Sequence, residues 1–238
     1  MYDYIITDTI VTPETQQKFY QEKFLSLPLT YQVNDGSLNI NLEADRESHN
    51  LPSKGIILGS LNQSFKLDPV MFDAWVEILQ KNKATYLWLL DEGEAMKKNI
   101  LSYLDNRVDK ERIIFAERVD RETHLSRIRN IDIALDTRIY NGHTTSIEMI
   151  QSGIPLITLE GNHFASRVSS SLLHALGIEE LITKNIDDYK DIVSNLINDD
   201  NTLNSLKSRI HHQLSESKLI DTNFFVRSFE DTILGIFK

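Results

Sequence analysis

Residues 131–167, IDIALDTRIYNGHTTSIEMIQSGIPLITLEGNHFASR, read as strand, loop, helix, strand, loop, helix. The cluster Gly142-His143-Thr144-Thr145 sits where the first helix should begin. Free amides at a helix start, two hydroxyls and an imidazole make a receptor for a phosphate. Glu148 falls one turn further in, where a carboxylate can accept hydrogen bonds from ribose hydroxyls. The stretch therefore reads first as a binding site for a nucleotide or a nucleotide sugar.

The same alternation extends back to residue 54. Short apolar runs occur at 55–59, 86–90, 112–116, 131–135 and 155–159. Helical patterns separate them. One follows Asp68-Pro69, with Met71, Phe72, Trp75, Ile78 and Leu79 on one face; another spans 92–104; a third is capped by Asp120 and carries Leu125 and Ile128. Strands alternating with helices imply right-handed crossovers and a parallel sheet, and uniformly apolar strands imply helices on both faces. After Phe164 the remainder reads as helical, at 165–176, 186–198, 202–216 and 223–237. The expected class is α/β, a parallel Rossmann-like sheet with a helical C-terminus. Upstream, residues 1–6 read as a strand. Pro13 opens a helical pattern through Phe19, Phe24 and Leu27 that Pro28 stops. Residues 32–53 are polar and aperiodic, with Asn34-Asp35-Gly36 as a turn signal. The expected division is a strand-helix segment and linker at 1–53 and a binding lobe at 54–238.

Composition removes several classes. With 238 residues, 41% hydrophobic and 25% charged, the chain suits a globular protein with a substantial core. A net charge of −10 argues against nucleic-acid binding, while leaving room for a local cationic pocket. The absence of cysteine excludes disulfides, thiolate zinc sites and cysteine nucleophiles. No apolar run approaches the ~20 residues of a membrane span. The first residues lack a secretory pattern, so the cytoplasm is the expected compartment.

In an open parallel sheet, ligands bind beyond the carboxyl ends of the strands. Four segments occupy that edge: 61–66 with Gln63 and Lys66; 117–127 with Val119, Asp120, Arg121, His124 and Arg127; 140–145; and 160–163. Each has a plain alternative. Lys66 can be a solvated lysine before a helix. His124 and Arg127, at i and i+3, can simply meet a neighbouring carboxylate. Arg121 can be a surface charge, and Thr144 and Thr145 only helix caps. Capping, however, needs one hydroxyl and has no use for His143. Arg167 reads as structural, and His49, His163, His174, His211 and His212 lack context. No GxGxxG, GxxxxGK[ST], GxSxG or HExxH occurs, and no Asp-x-Asp. A sugar diphosphate would then be neutralised by Lys66, Arg121, His124 and the His143 helix start, without a metal. Donors fixed there stabilise the charge that develops on a departing diphosphate.

Read together, these motifs resemble the C-terminal catalytic lobe of the protein O-GlcNAc transferases, glycosyltransferase family 41. The similarity begins at Asp3-Tyr4-Ile5-Ile6-Thr7-Asp8 and continues through Tyr20-Gln21-Glu22-Lys23, Asn62-Gln63-Ser64-Phe65-Lys66-Leu67-Asp68-Pro69, Trp88-Leu89-Leu90, Arg112-Ile113-Ile114-Phe115 and Leu135-Asp136-Thr137. It is strongest at Asn141-Gly142-His143-Thr144-Thr145 and Ala165-Ser166-Arg167-Val168. The resemblance implies the C-terminal half of a GT-B fold that binds a UDP-sugar. It implies that Gln63 and Lys66 contact the diphosphate, Lys66 being important for activity, and that Val119 and Asp120 offer backbone to uracil. His124 would pack on the base with Arg127 nearby. Gly142, His143, Thr144 and Thr145 would form the phosphate-binding helix start, and Glu148 would hold the ribose. Arg121 stands where the family has lysine and Glu148 where it has aspartate; each keeps its charge and changes its reach. The implied reaction is metal-independent, inverting transfer from UDP-GlcNAc or a related UDP-hexose to protein Ser or Thr hydroxyls. It needs an N-terminal catalytic lobe, from a longer parent protein or a partner chain. The residues also fit a module that holds UDP or a UDP-sugar without transferring it, and, less well, an unrelated flavodoxin-like regulatory domain.

Overall fold

A computed structural model describes residues 2–36 and 45–237. Met1 of the expected first strand, and residues 37–44 of the expected linker, lie outside it. The described residues form eight strands and eight α-helices. Strands β1 (Tyr4–Asp8) and β2 (Lys23–Leu27) pair in parallel as a small sheet. Strands β3 (Ile56–Ser60), β4 (Thr85–Leu90), β5 (Ile113–Ala116), β6 (Ile133–Leu135), β7 (Leu156–Leu159) and β8 (Ile182–Thr183) form the main sheet, parallel throughout, in the order β5-β4-β3-β6-β7-β8. The chain steps outward from β3 to β5, then returns to β6 on the other side of β3. The connections leaving β3 and β6 therefore diverge, which opens a crevice at their carboxyl ends.

Local chemistry sets the helices. Helix α1 (Pro69–Lys81) starts where the Asp68 carboxylate accepts the amides of Val70 and Met71, at 3.0 and 3.4 Å, with proline at the first helical position. Its apolar stripe of Met71, Phe72, Trp75, Ile78 and Leu79 is buried throughout. Helices α2 (Glu94–Leu104), α3 (Arg121–Arg127), α4 (Thr144–Gln151), α5 (Val168–Leu176), α6 (Ile186–Asn198), α7 (Asp200–Glu216) and α8 (Thr222–Leu234) follow. Leu87, Trp88 and Leu89 are consecutive and all buried, as a strand covered on both faces requires. The core includes Trp75, Trp88 and Tyr189, and the Trp75 indole N–H donates to the Tyr189 hydroxyl at 3.1 Å. Each such large apolar side chain contributes about 1.5–3 kcal/mol on burial. Among the described residues, no helix is long and apolar enough to cross a membrane.

Two elements differ from the expected pattern. The helix read from Pro13 to Leu27 is a 3-10 turn, Glu14–Phe19, followed by β2. Phe24 and Leu27 stand three apart, a spacing that fits a helix, but pairing with β1 claims them for a strand. β8 is only two residues long, too short to leave any periodicity in a region that read as helical. The N-terminal segment contacts the rest of the chain: Ser171 Oγ donates to Asp8 Oδ2 at 2.8 Å, Asn34 Nδ2 to the Leu219 carbonyl at 3.3 Å, and Arg46 pairs with Asp132 at 2.8 Å.

Candidate functional site

The crevice is organised by one buried carboxylate. Asp136, the residue after β6, is fully buried. Its Oδ1 accepts the amides of Thr137 and Gly142, at 2.9 and 2.8 Å, and its Oδ2 accepts the Thr158 hydroxyl at 2.8 Å. Burial pushes its pKa up, and these hydrogen bonds pull the other way. Both ends of the loop 137–142 are thereby tied to one side chain. Within the loop, Thr137 Oγ1 donates to the Tyr140 carbonyl and Asn141 Nδ2 to the Thr137 carbonyl, each at 2.6 Å. Arg138 reaches across to the α1 cap, Asp68, at 2.9 Å.

This loop meets Lys66, which closes the 3-10 turn Ser64–Lys66 after β3. Lys66 Nζ donates to the Asn141 carbonyl at 2.8 Å and lies 4.2 Å from the centre of the Tyr140 ring. His143 Nδ1 stands 3.4 Å from the same carbonyl. Burial lowers the pKa of Lys66, partly offset by the charge of Asp136. Burial also lowers that of His143; the Asn141 carbonyl opposes this and the Lys66 charge adds to it. His143 is the cap position of α4 and makes no capping side-chain bond. Thr144 and Thr145 are helical, so their hydroxyls are not the caps the plain reading supposed. The first-turn amides of α4 are left without intrahelical partners. Gly142 lets the turn close: a Cβ there would stand 2.3 Å from Ser146 Oγ and 3.3 Å from Asn62 Oδ1.

A second cluster lies one turn along. Glu148 is buried, at 5% exposure; its Oε1 is 3.6 Å from Arg121 Nη2 and its Oε2 3.4 Å from His124 Nε2. Both partners come from α3, which starts where Asp120 accepts the Thr123 amide at 3.1 Å. The Thr123 hydrogen bonds hold the Asp120 carboxyl below the usual range. Arg127 is buried, donates to the Glu117 carbonyl, and stands 3.3 Å from His124 Nδ1. Burial lowers its pKa. Arg127 thus braces the end of β5 against His124.

The expected residues fall into three groups. Lys66, Gly142, His143, Thr144 and Thr145 gather at the start of α4. Arg121, His124, Arg127 and Glu148 gather beside it. Gln63, Val119 and Asp120 are exposed at the rim. Val119 and Arg127 also line a cleft of about 730 Å3 whose other wall includes His49, Trp88 and Phe115. Arg167 is structural, its Nε bonding the Gly161 carbonyl at 2.8 Å. Asp136, Tyr140 and Asn141 were not among the expected site residues, although Tyr140 and Asn141 lie in the edge segment 140–145 and Asp136 and Asn141 in motifs of the family resemblance. Among the described residues, no group of three His, Asp or Glu side chains is placed to hold a metal ion.

Comparison with known proteins shows the family and the fold. The profile of glycosyl transferase family 41 matches residues 38–229. A UDP-N-acetylglucosamine--peptide N-acetylglucosaminyltransferase of Caenorhabditis elegans is 32% identical over 201 residues, covering 84% of this chain and 18% of its own length. A relative in Arabidopsis thaliana, described as a probable enzyme of that kind, is 30% identical over 236 residues, covering 96% of this chain and 24% of its own length. The chain therefore spans less than a quarter of either relative. The solved structure of a mutant Thermobaculum terrenum O-GlcNAc transferase superposes with a TM-score of 0.87 at 28% identity, over 97% of this chain and 44% of that one. The chain belongs to glycosyl transferase family 41, and its fold is that of the Rossmann-like C-terminal lobe of a GT-B glycosyltransferase.

Proposed function

We propose that this chain is the donor-binding lobe of an enzyme that moves a hexosamine or hexose from a UDP-sugar to Ser or Thr hydroxyls of proteins. The observation that carries the reading is one carbonyl, that of Asn141, which receives Lys66 Nζ at 2.8 Å and has His143 at 3.4 Å beside the uncapped tip of α4. A fixed cation, an imidazole and free amides at one point suit a diphosphate. The Caenorhabditis elegans relative named above is described as a UDP-N-acetylglucosamine--peptide N-acetylglucosaminyltransferase, and the Arabidopsis thaliana one as a probable enzyme of that kind. In this reading Lys66, Gln63, Gly142, His143, Thr144 and Thr145 hold the diphosphate, and Glu148 takes the ribose. The Val119-Asp120 backbone, Arg121, His124 and Arg127 take the uracil end. As the glycosidic bond breaks, charge grows on the leaving UDP. In this reading Lys66 and the α4 amides meet that charge, so the transition state gains more than the ground state. No metal takes part. The second catalytic lobe and the protein acceptor complete the cleft, in a longer chain or through a partner.

Calorimetric titration of UDP, UDP-GlcNAc and UDP-glucose in EDTA tests the reading. The chain is expected to bind UDP, and Lys66→Ala to weaken it about tenfold, the size of one charge-assisted hydrogen bond. No UDP binding by the parent chain, or equal binding by Lys66→Ala, overturns it.

A further inference from the structure

One carboxylate, that of Glu92, joins three loops at the carboxyl edge of the sheet. The backbone on either side of it is fixed. The Asp91 amide donates to the Ala116 carbonyl of β5 at 2.8 Å, and the Asp91 carboxylate accepts the Gly93 amide at 2.8 Å and pairs with Lys97 at 2.7 Å. Glu92 Oε2 accepts the Ser64 amide at 2.6 Å and the Ser64 hydroxyl at 2.5 Å, while its Oε1 takes Arg118 Nη2 at 2.6 Å. Burial pushes the Glu92 pKa up, but the bonds from Ser64 and Arg118 outweigh it and hold the carboxyl below its usual range.

These bonds supply what the local sequence leaves out. The 3-10 turn Ser64–Lys66 opens on an amide that needs an acceptor, and Gln63, at its cap position, makes no capping side-chain bond. Glu92, 28 residues further on, caps the turn instead. Within the turn the Lys66 amide donates to the Gln63 carbonyl at 3.0 Å, so a turn anchored at Ser64 also carries Lys66 to a fixed place. On its other side Lys66 Nζ reaches the Asn141 carbonyl. At the far end of the tie, Arg118 immediately precedes Val119 and Asp120, the backbone assigned above to uracil. The Arg118 side chain is 62% exposed, and an exposed ion pair adds little to stability by itself. Its consequence is geometric. A nucleoside diphosphate spans both loops, so its affinity depends on the distance between them, whereas pyrophosphate meets only one.

We propose that Glu92 is a positioning residue: with Ser64 and Arg118 it fixes the spacing between the diphosphate turn 63–66 and the base segment 117–120, and so favours an intact nucleoside diphosphate over pyrophosphate. This deepens the donor-binding reading above and rests on it.

The test is calorimetric titration of UDP and of inorganic pyrophosphate into the 238-residue chain and into Glu92→Gln, Arg118→Ala, Glu92→Ala and the double variant of the last two. Glu92→Gln keeps an oxygen for Ser64 and loses the charge that holds Arg118. It and Arg118→Ala are each expected to lower UDP affinity about threefold and to leave pyrophosphate within about twofold. Glu92→Ala releases both ends and is expected to weaken UDP about tenfold and pyrophosphate about threefold. Adding Arg118→Ala to Glu92→Ala should cost nothing more, because the tie is already cut. A charge effect alone would move the two single variants in opposite directions, since one removes a negative charge and the other a positive one; that result overturns the tie. Equal losses of UDP and pyrophosphate, full additivity in the double variant, or unchanged UDP affinity in Glu92→Ala also overturn it, and all of these leave the diphosphate site standing. Failure of the parent chain to bind UDP overturns both readings. Should Glu92→Ala unfold, Glu92→Gln and Arg118→Ala decide, since neither removes the acceptor that caps the turn.

Discussion

Replacing Gly142 with alanine should damage both stability and the phosphate site, by an amount that the local distances set. The added Cβ would stand 2.3 Å from Ser146 Oγ and 3.1 Å from the Ser146 amide nitrogen. The first contact forces Ser146 to rotate. Its hydroxyl is 2.9 Å from Ser169 Oγ, and both residues are buried, at 1% and 0% exposure. Rotation breaks that bond inside the core, at a cost of about 1–3 kcal/mol. The second contact involves backbone, which cannot rotate away; crowding of this kind adds about 1 kcal/mol or more. The sum is about 2–4 kcal/mol, a fall in Tm on the order of 5–15 °C for a chain of this size. Urea unfolding of Gly142→Ala, Ser146→Ala and the double variant measures it. Removing Oγ removes the worse contact, so Ser146→Ala should return about half of the lost stability in the Gly142→Ala background. UDP affinity should fall with Gly142→Ala, because the start of α4 moves. A stability within about 0.5 kcal/mol of the parent, or no gain from the second substitution, would falsify the argument.

The remaining predictions probe the other parts of the site and the core. Glu148→Gln should weaken UDP about three- to tenfold while leaving inorganic pyrophosphate binding nearly unchanged, because Glu148 lies beyond the diphosphate; equal losses for both ligands in competition titration would contradict the assignment. The pKa of Lys66 is lowered by burial, so its proton leaves below the usual lysine range. The diphosphate binds the protonated form. UDP affinity should therefore fall as pH rises through that lowered value, and Lys66→Met should abolish this alkaline limb; a persistent limb in the variant assigns it elsewhere. Tyr189→Phe leaves the buried Trp75 indole N–H without an acceptor. It should cost about 1–3 kcal/mol in urea unfolding with UDP binding unaltered, and a neutral result would mean that another acceptor takes over.

Much of this is legible in the sequence. The apolar runs at 55–59, 86–90, 112–116, 131–135 and 155–159 locate five of the six strands of the main sheet to within a few residues, since buried parallel strands leave nothing but apolar residues to read. The Asp68-Pro69 start of α1 and the Asp120 start of α3 were legible because a cap acts on neighbours in sequence. The segment 13–27 reads as helical because Phe24 and Leu27 stand three apart, and only pairing with β1 places them in a strand. Asp136 was passed over as a site residue because its work is done through Gly142 and Thr158, 6 and 22 residues away.

Sequence alone determined the fold class, the family resemblance and the list of cationic and hydroxyl residues at the sheet edge. These rest on periodicity, caps and motif spacing, which are properties of neighbouring residues. Tertiary structure decided the strand order β5-β4-β3-β6-β7-β8 and hence where the crevice opens. It also decided that Lys66 and His143, 77 positions apart, approach one carbonyl, and that Arg121 and His124 face Glu148. Such encounters depend on register and packing across the sheet, where contact between distant residues follows from the whole core closing and leaves no local trace.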